Sequence, residues 1–234
     1  MRLMTYNIQS GRDTFGKLDL SQSEETIRRY NPDILALNEV RMKTLDVGGA
    51  EQAKELAENL NMHFFFAKAI DYNGGEYGIA LLSKFPVVRA EAVPVPPLPM
   101  EKREQRYEDR VLLKAELDVN GRPIFAFVSH FGLSNAERES ATNLFESEIS
   151  KIEDPAIFMG DLNMRPDDAL VGRIKTHLND LSENERFMTH HTLFAEDRID
   201  YIFASNHFVS ENVFCPYSTA SDHLPIVADV HLNA

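Results

Sequence analysis

The sequence predicts a mixed α/β chain in which two β-sheets pack together beneath a cover of helices. Three observations lead there. Ten segments read as strands and four as helices, their order is too mixed for a simple alternating βαβ fold, and no linker, repeat or low-complexity stretch interrupts them. A chain of 234 residues that is 43% hydrophobic and 26% charged can bury a full core. Residues 1–234 are therefore read as a single domain.

The elements follow in order. Leu3 to Ile8 is a strand candidate that passes through TYN, Thr5 to Asn7. Ser21 to Tyr30 reads as the first helix, with Ser21 and Glu24 at capping-box spacing. Ile34 to Val40 is a strand that closes on NEV, and Gly49 to Leu60 is the second helix. His63 to Ala69, Gly78 to Ser83, Val87 to Val93, Val111 to Val119 and Ile124 to His130 follow as strands. Asn135 to Ile152 is the third helix, for which Ser134 or Asn135 can serve as cap. Ala156 to Gly160 is a short apolar strand and Pro166 to Thr176 the fourth helix. Ile199 to Ala204 and Leu224 to Leu232 close the set, and LPIVADV alternates as a strand with one buried face does.

Composition narrows the classes of function. The longest apolar runs fall far short of the roughly 20 residues a spanning helix needs. The start, MRLMTYNIQSGRD, turns polar without the apolar stretch of a secretory signal, and the lone Cys215 excludes an internal disulfide. A reducing cytoplasm and a monomer are the expectations. Twenty-four Lys and Arg against 37 Asp and Glu leave a net charge of −13, which argues against extended phosphate contacts with duplex DNA. Lys102, Arg103, Arg106 and Arg110 form the one clustered basic stretch, and PVPPLPM, Pro94 to Met100, is an ordinary proline-rich loop.

The chemistry gathers at the ends of strands. After TYN and NEV come SHFG, Ser129 to Gly132; GDLN, Gly160 to Asn163, directly after AIFM; RIDYIF, with Asp200; and SDH, ahead of the last strand. Singly, each has a plain structural explanation in turns, surface acids or a satisfied core histidine. Together they bring carboxylates to one rim, and a fold retains such a cluster only if something cationic offsets it. Hard oxygen ligands without thiolates favour Mg²⁺ or Mn²⁺. No G-x-x-x-x-G-K-[ST], G-x-G-x-x-G or G-x-S-x-G sequence is present, which leaves metal-assisted hydrolysis. Adjacent strand residues point to opposite sides, so Asp222 and His223 need not serve one another.

The ordered set TYN, NEV, YGIALLSKFPV, SHFG, GDLN, RIDYIF and SDHLP resembles the endonuclease/exonuclease/phosphatase superfamily of Mg²⁺-dependent phosphoesterases, from residue 5 to residue 230. The resemblance implies a four-layer α/β/β/α sandwich of two packed mixed sheets flanked by helices, forming one catalytic domain with its site at one end of the paired sheets. It implies Glu39 as principal metal ligand, with Asn7 beside it and Asp222 as a further ligand. Asp161 and Asn163 are similar to the acid and amide that orient the attacking water or a second cation. Asp200 resembles the buried acid that holds the histidine facing the phosphate, here His223, and His130 resembles the one near the phosphate or leaving oxygen. Arg110 is the substrate-binding candidate.

Gln9 departs from the pattern, standing where some members carry a second carboxylate. The absence of Trp and the acidity point away from the apurinic endonuclease branch. The expected substrate is a small phosphodiester or phosphomonoester, with a nuclease acting on DNA or RNA as the alternative. A non-catalytic binding protein would have lost one of Glu39, Asp161, Asn163, Asp200, Asp222 or His223, and all are present.

Overall fold

The protein is described by a computed structural model covering every residue except Ala195 and Ala234. The strands are β1 (Arg2–Asn7), β2 (Ile34–Met42), β3 (His63–Tyr72), β4 (Gly75–Ser83), β5 (Val87–Pro94), β6 (Val111–Val119), β7 (Arg122–His130), β8 (Ala156–Asp161), β9 (Asn179–Asp180), β10 (Asp200–Ala204), β11 (Phe208–Phe214) and β12 (Ile226–Leu232). The helices are α1 (Leu20–Tyr30), α2 (Gln52–Leu60), α3 (Asn135–Ile149) and α4 (Ala169–Ile174). Two six-stranded sheets result, ordered β11-β12-β1-β2-β4-β3 and β5-β6-β7-β8-β10-β9. Each contains one parallel pair, β1–β2 and β7–β8, and each of those pairs is joined by a crossover carrying a helix, α1 and α3.

Side-chain alternation builds the layers. On β8, Ile157 and Met159 enter the apolar core between the sheets, while Ala156 and Phe158 face the core that holds Phe145 of α3 and Ile174 of α4. On β2, Ile34 and Ala36 join the inter-sheet core, and Leu35 and Leu37 pack with Ile27 of α1 and Leu56 of α2. Both faces of these strands are buried, which is why they read as near-continuous apolar runs. The expected four-layer sandwich is the fold observed.

All ten expected strands and all four helices are present, with shifted ends. Ser21 is not the first cap. The helix starts a residue earlier, after Asp19, and the Ser21 hydroxyl donates instead to Asp19 Oδ1 at 2.6 Å. The second helix starts at Gln52 because Gly48 and Gly49 both have positive φ, which ends a 3₁₀ turn there. Ser134 caps α3 in a full capping box with Glu137, and α4 is shorter than expected because Asp168 caps it by accepting from the Leu170 amide at 2.9 Å. Two strands were not legible. β11, FVSENVF, is a largely exposed edge strand with polar residues and a bulge at Ser210–Asn212, and β9 has only two residues.

β9 nevertheless carries a buried ion pair. Asp180 accepts two hydrogen bonds from Arg198, at 3.2 and 2.8 Å, and both side chains are almost fully buried. Arg198 opens RIDYIF, so the pair fixes the approach to β10. Asp180→Ala would strand that guanidinium without its counter-charge. Urea unfolding should report a loss of about 3 kcal/mol or more, as for other broken buried pairs; a change under about 1 kcal/mol would show that the pair is dispensable.

Candidate active site

The ladders set the site. In the second sheet His130 pairs with Asp161 across β7–β8, and Asp161 pairs with Asp200 across β8–β10, so three titratable residues stand abreast at one level. In the first sheet Asn7 is level with Asn38. There the β2–β4 register shifts between Leu37 and Val40, a bulge in which Glu39 adopts φ of 58°. Bulges of this kind re-aim side chains, and Glu39 Oε1 accepts from Asn7 Nδ2 at 3.1 Å. Gly160 allows β8 to lie close to β7. Its φ is 145°, and a Cβ there would fall 2.0 Å from the Ser129 carbonyl oxygen.

Asn38 joins the two sheets. Its Nδ2 donates to the Ser129 carbonyl at 2.9 Å and its Oδ1 accepts from the Asp161 amide at 3.1 Å. Asp161 Oδ1 accepts from the Asn163 amide at 2.9 Å, and Oδ2 from Asn7 Nδ2 at 3.1 Å. That Oδ2 also faces two imidazoles, with His130 Nε2 at 3.5 Å and His223 Nε2 at 3.6 Å. Asn163 Nδ2 is committed to the Phe131 carbonyl at 2.9 Å.

His223 Nδ1 lies 2.8 Å from Asp200 Oδ2. Burial disfavours charge on the imidazole, but the carboxylates of Asp200 and Asp161 outweigh it and push the pKa up to about 10. The buried Asp161 is itself pushed up to about 7, by desolvation and then by the Asp200 charge. Asp161, Asp200 and His223 bring ligand atoms within 4.8 Å of one another, a spacing that suits a metal ion. A charged imidazole cannot ligate one, however, and Asp200 is already its partner. Glu39 and Asp222 bring further carboxylate oxygens to the same cleft.

His130 is opposite in character. Arg110 Nη1 lies 3.2 Å from His130 Nδ1, and a guanidinium can only donate. Nδ1 is therefore the acceptor, and the ring hydrogen sits on Nε2, toward Asp161. Burial, then the charges of Arg110 and His223, hold the His130 pKa well below its ordinary value. Arg110 also pairs with Glu108 at 3.2 Å while lining the cleft.

Asp222 and His223 precede β12 and line the same cleft with different partners, because Asp222 Oδ2 accepts from Gln9 Nε2 at 2.7 Å. Of the basic cluster, Arg106 and Arg110 line this cleft of about 660 Å³, whereas Lys102 and Arg103 do not. Sequence reasoning missed three features. Asn38 stood in NEV without a role, Arg41 sits over the Tyr72 and Tyr77 rings at 3.8 and 4.4 Å, and His190 packs 4.7 Å from His223. Arg41 follows Glu39 by two residues, which was a usable signal. His190 lies in a stretch with no periodicity to mark it.

The titration of His223 tests this geometry. Its raised pKa means the folded state binds the proton more tightly, so its charge contributes stability fully below about 6.5 and loses it as pH rises through about 10. In metal-free protein, the Cε1 resonance followed by NMR should remain that of an imidazolium at pH 8, and Asp200→Asn should move the midpoint down. A wild-type midpoint near 7 would refute the Asp200–His223 coupling.

The profile of the Endonuclease/Exonuclease/phosphatase family matches residues 4–223. The YbhP protein of Escherichia coli strain K12 is 24% identical over 250 residues, covering 99% of this chain and 96% of YbhP. An endonuclease/exonuclease/phosphatase from Bacteroides vulgatus superposes with a TM-score of 0.81 at 20% identity, over 99% of this chain and 98% of that one. The mannosyl-6-phosphatase Bt3783 of Bacteroides thetaiotaomicron superposes at 0.78 with 17% identity, over 99% and 100%. With the family profile spanning all but the first three residues and the tail beyond His223, this chain belongs to the endonuclease/exonuclease/phosphatase family.

Proposed function

We propose that residues 1–234 act as one divalent-cation-dependent catalytic domain that hydrolyses a small phosphoester by in-line attack of water. Family membership supports a phosphoesterase. The observation that carries the finer reading is Asp161, buried between two imidazole Nε2 atoms with its pKa raised to about 7. A carboxylate so tuned can take a proton from water near neutral pH.

The donor set fits a hard cation. Glu39 and Asp222 offer carboxylate oxygens, desolvation raises the Glu39 pKa, and the hydrogen bonds these two groups receive come from neutral amides and a hydroxyl, Asn7, Gln9 and Ser221. Glu39 and Asp222 would hold Mg²⁺ or Mn²⁺, which supplies Lewis-acid polarisation of a phosphoryl oxygen when bound. Asn7 holds Glu39 and Asp161 in register through its amide hydrogens. His223, kept charged by Asp200, offsets the negative charge that grows on the phosphoryl group. His130 presents an Nε2–H to the phosphoryl or leaving oxygen, and Arg110 fixes that tautomer. Asn163 stands beside Asp161 at the path of the attacking water.

The neighbours Asp222 and His223 should fail in different ways. Asp222→Asn should lower apparent Mg²⁺ affinity, with part of the rate recovered at higher Mg²⁺. His223→Ala should lose about 10² to 10³ in kcat, with no recovery. Rate against Mg²⁺ concentration, measured on bis-p-nitrophenyl phosphate, separates the two; rescue of His223→Ala by metal would overturn the division of roles.

A nuclease is the second reading, and the net charge of −13 weighs against tight binding to long duplexes. Fluorescence anisotropy on undamaged duplex DNA at about 150 mM salt should give no binding tighter than the roughly 10⁻⁶ M typical of non-specific contacts. A submicromolar dissociation constant would reverse the ranking of substrates.

A further inference from the structure

The catalytic cleft does not end at the scissile centre. Beyond Asn163, His190 and Ile199, which it shares as a wall, a second chamber of about 470 Å³ opens between α3, the segment before α4 and the strand-free stretch ahead of β10. A phosphomonoester needs room on one side of phosphorus. This site offers room on two.

The two sides differ in charge. On the Tyr72–Tyr77 side the groups beyond the catalytic residues include Arg41, itself paired with Asp46 at 3.5 Å, Arg106 and Arg110, against Glu108. In the second chamber Arg165 pairs with Asp197, and Arg138 lies 4.0 Å from Asp168 while donating to the Asn163 carbonyl at 2.8 Å. Asp167 remains, exposed and with no ion pair among the described residues. The chamber therefore has carboxylate in excess, and a substituent carrying its own phosphate or carboxylate would meet it as a like charge.

Resting on the phosphoesterase reading above, we infer that the second chamber is a substrate-binding subsite and that the substrate is a phosphodiester. One substituent occupies the arginine- and tyrosine-lined side. The other, a polar group without negative charge such as an amino alcohol, occupies the chamber of Asp167 and Asp197. His190, which lines both chambers and packs on His223, stands at the junction where the phosphate is held.

Four chromogenic probes test this with Mg²⁺ present: p-nitrophenyl phosphate, bis-p-nitrophenyl phosphate, p-nitrophenylphosphocholine, and p-nitrophenyl 2-carboxyethyl phosphate. The nitrophenyl ring suits the tyrosine side and leaves the second substituent to the new chamber. Expected is a kcat/KM for the phosphocholine diester at least about threefold above that for the carboxyethyl diester and for the monoester, the size of a contact with an exposed charge. Asp167→Lys should shrink the choline-to-carboxyethyl ratio at least about threefold, a step suited to an exposed charge. Glu58→Lys, the same change of charge on α2, should leave the ratio alone. A monoester hydrolysed faster than every diester, or a ratio indifferent to Asp167→Lys, would overturn the inference and leave the phosphoesterase reading standing. Hydrolysis of none of the four would remove both.

Discussion

One buried amide ties the site together. Asn38 belongs to the first sheet, yet both of its hydrogen bonds are made to the second, to the Ser129 carbonyl and the Asp161 amide. Each bond is worth only about 1 kcal/mol net, but leaving its buried partners unpaired would cost about 1–3 kcal/mol apiece. The sheets are thus registered at the end where their strands deliver polar groups. Glu39, the next residue along, hangs from the same bulge, so one short segment both fixes the seam and places a second carboxylate on the amide that Asp161 also accepts from.

From that seam follows the electrostatic order of the site. Two histidines point Nε2 at the same carboxylate oxygen, and their second nitrogens decide what they are. Asp200 at Nδ1 holds His223 charged, whereas burial, and then Arg110 at Nδ1, keep His130 neutral with its hydrogen on Nε2. Carboxylates that would otherwise repel one another at close range are divided into those offset by an internal cation and those, Glu39 and Asp222, left with neutral donors. Gln9 in place of a second acid fits this arrangement, since its amide holds Asp222 without adding charge.

The cleft around this centre is polar on both sides but not equally charged. Arg41, stacked on two tyrosines, forms one side with Arg106 and Arg110, and acid–base pairs with an unmatched carboxylate form the other. On the tyrosine side Arg41, Tyr72 and Tyr77 belong to β2, β3 and β4, whereas Asp167, Asp168 and Asp197 of the other side lie in the connecting segments, the part of such folds free to vary without disturbing the core.

The sequence by itself determined the layers, because strands buried on both faces must be apolar throughout, as in AIFM, and because apolar strands that end in TYN, NEV, GDLN and RIDYIF carry their polar residues to one rim. It named Asn7, Glu39, His130, Asp161, Asn163, Asp200, Asp222 and His223, and folding brings them to one cleft and its supporting seam. It did not disclose the Asp19 start of α1, the edge strand β11 or the two-residue β9, since short and exposed segments lack periodicity. Nor did it disclose that Arg110 would hold His130, that Asn38 would bridge the sheets or that His190 would lie against His223. Those facts belong to the tertiary structure alone, because a hydrogen-bond partner or a packed ring is set by distance in space, and no spacing along the chain encodes contacts between residues 20 to more than 120 positions apart.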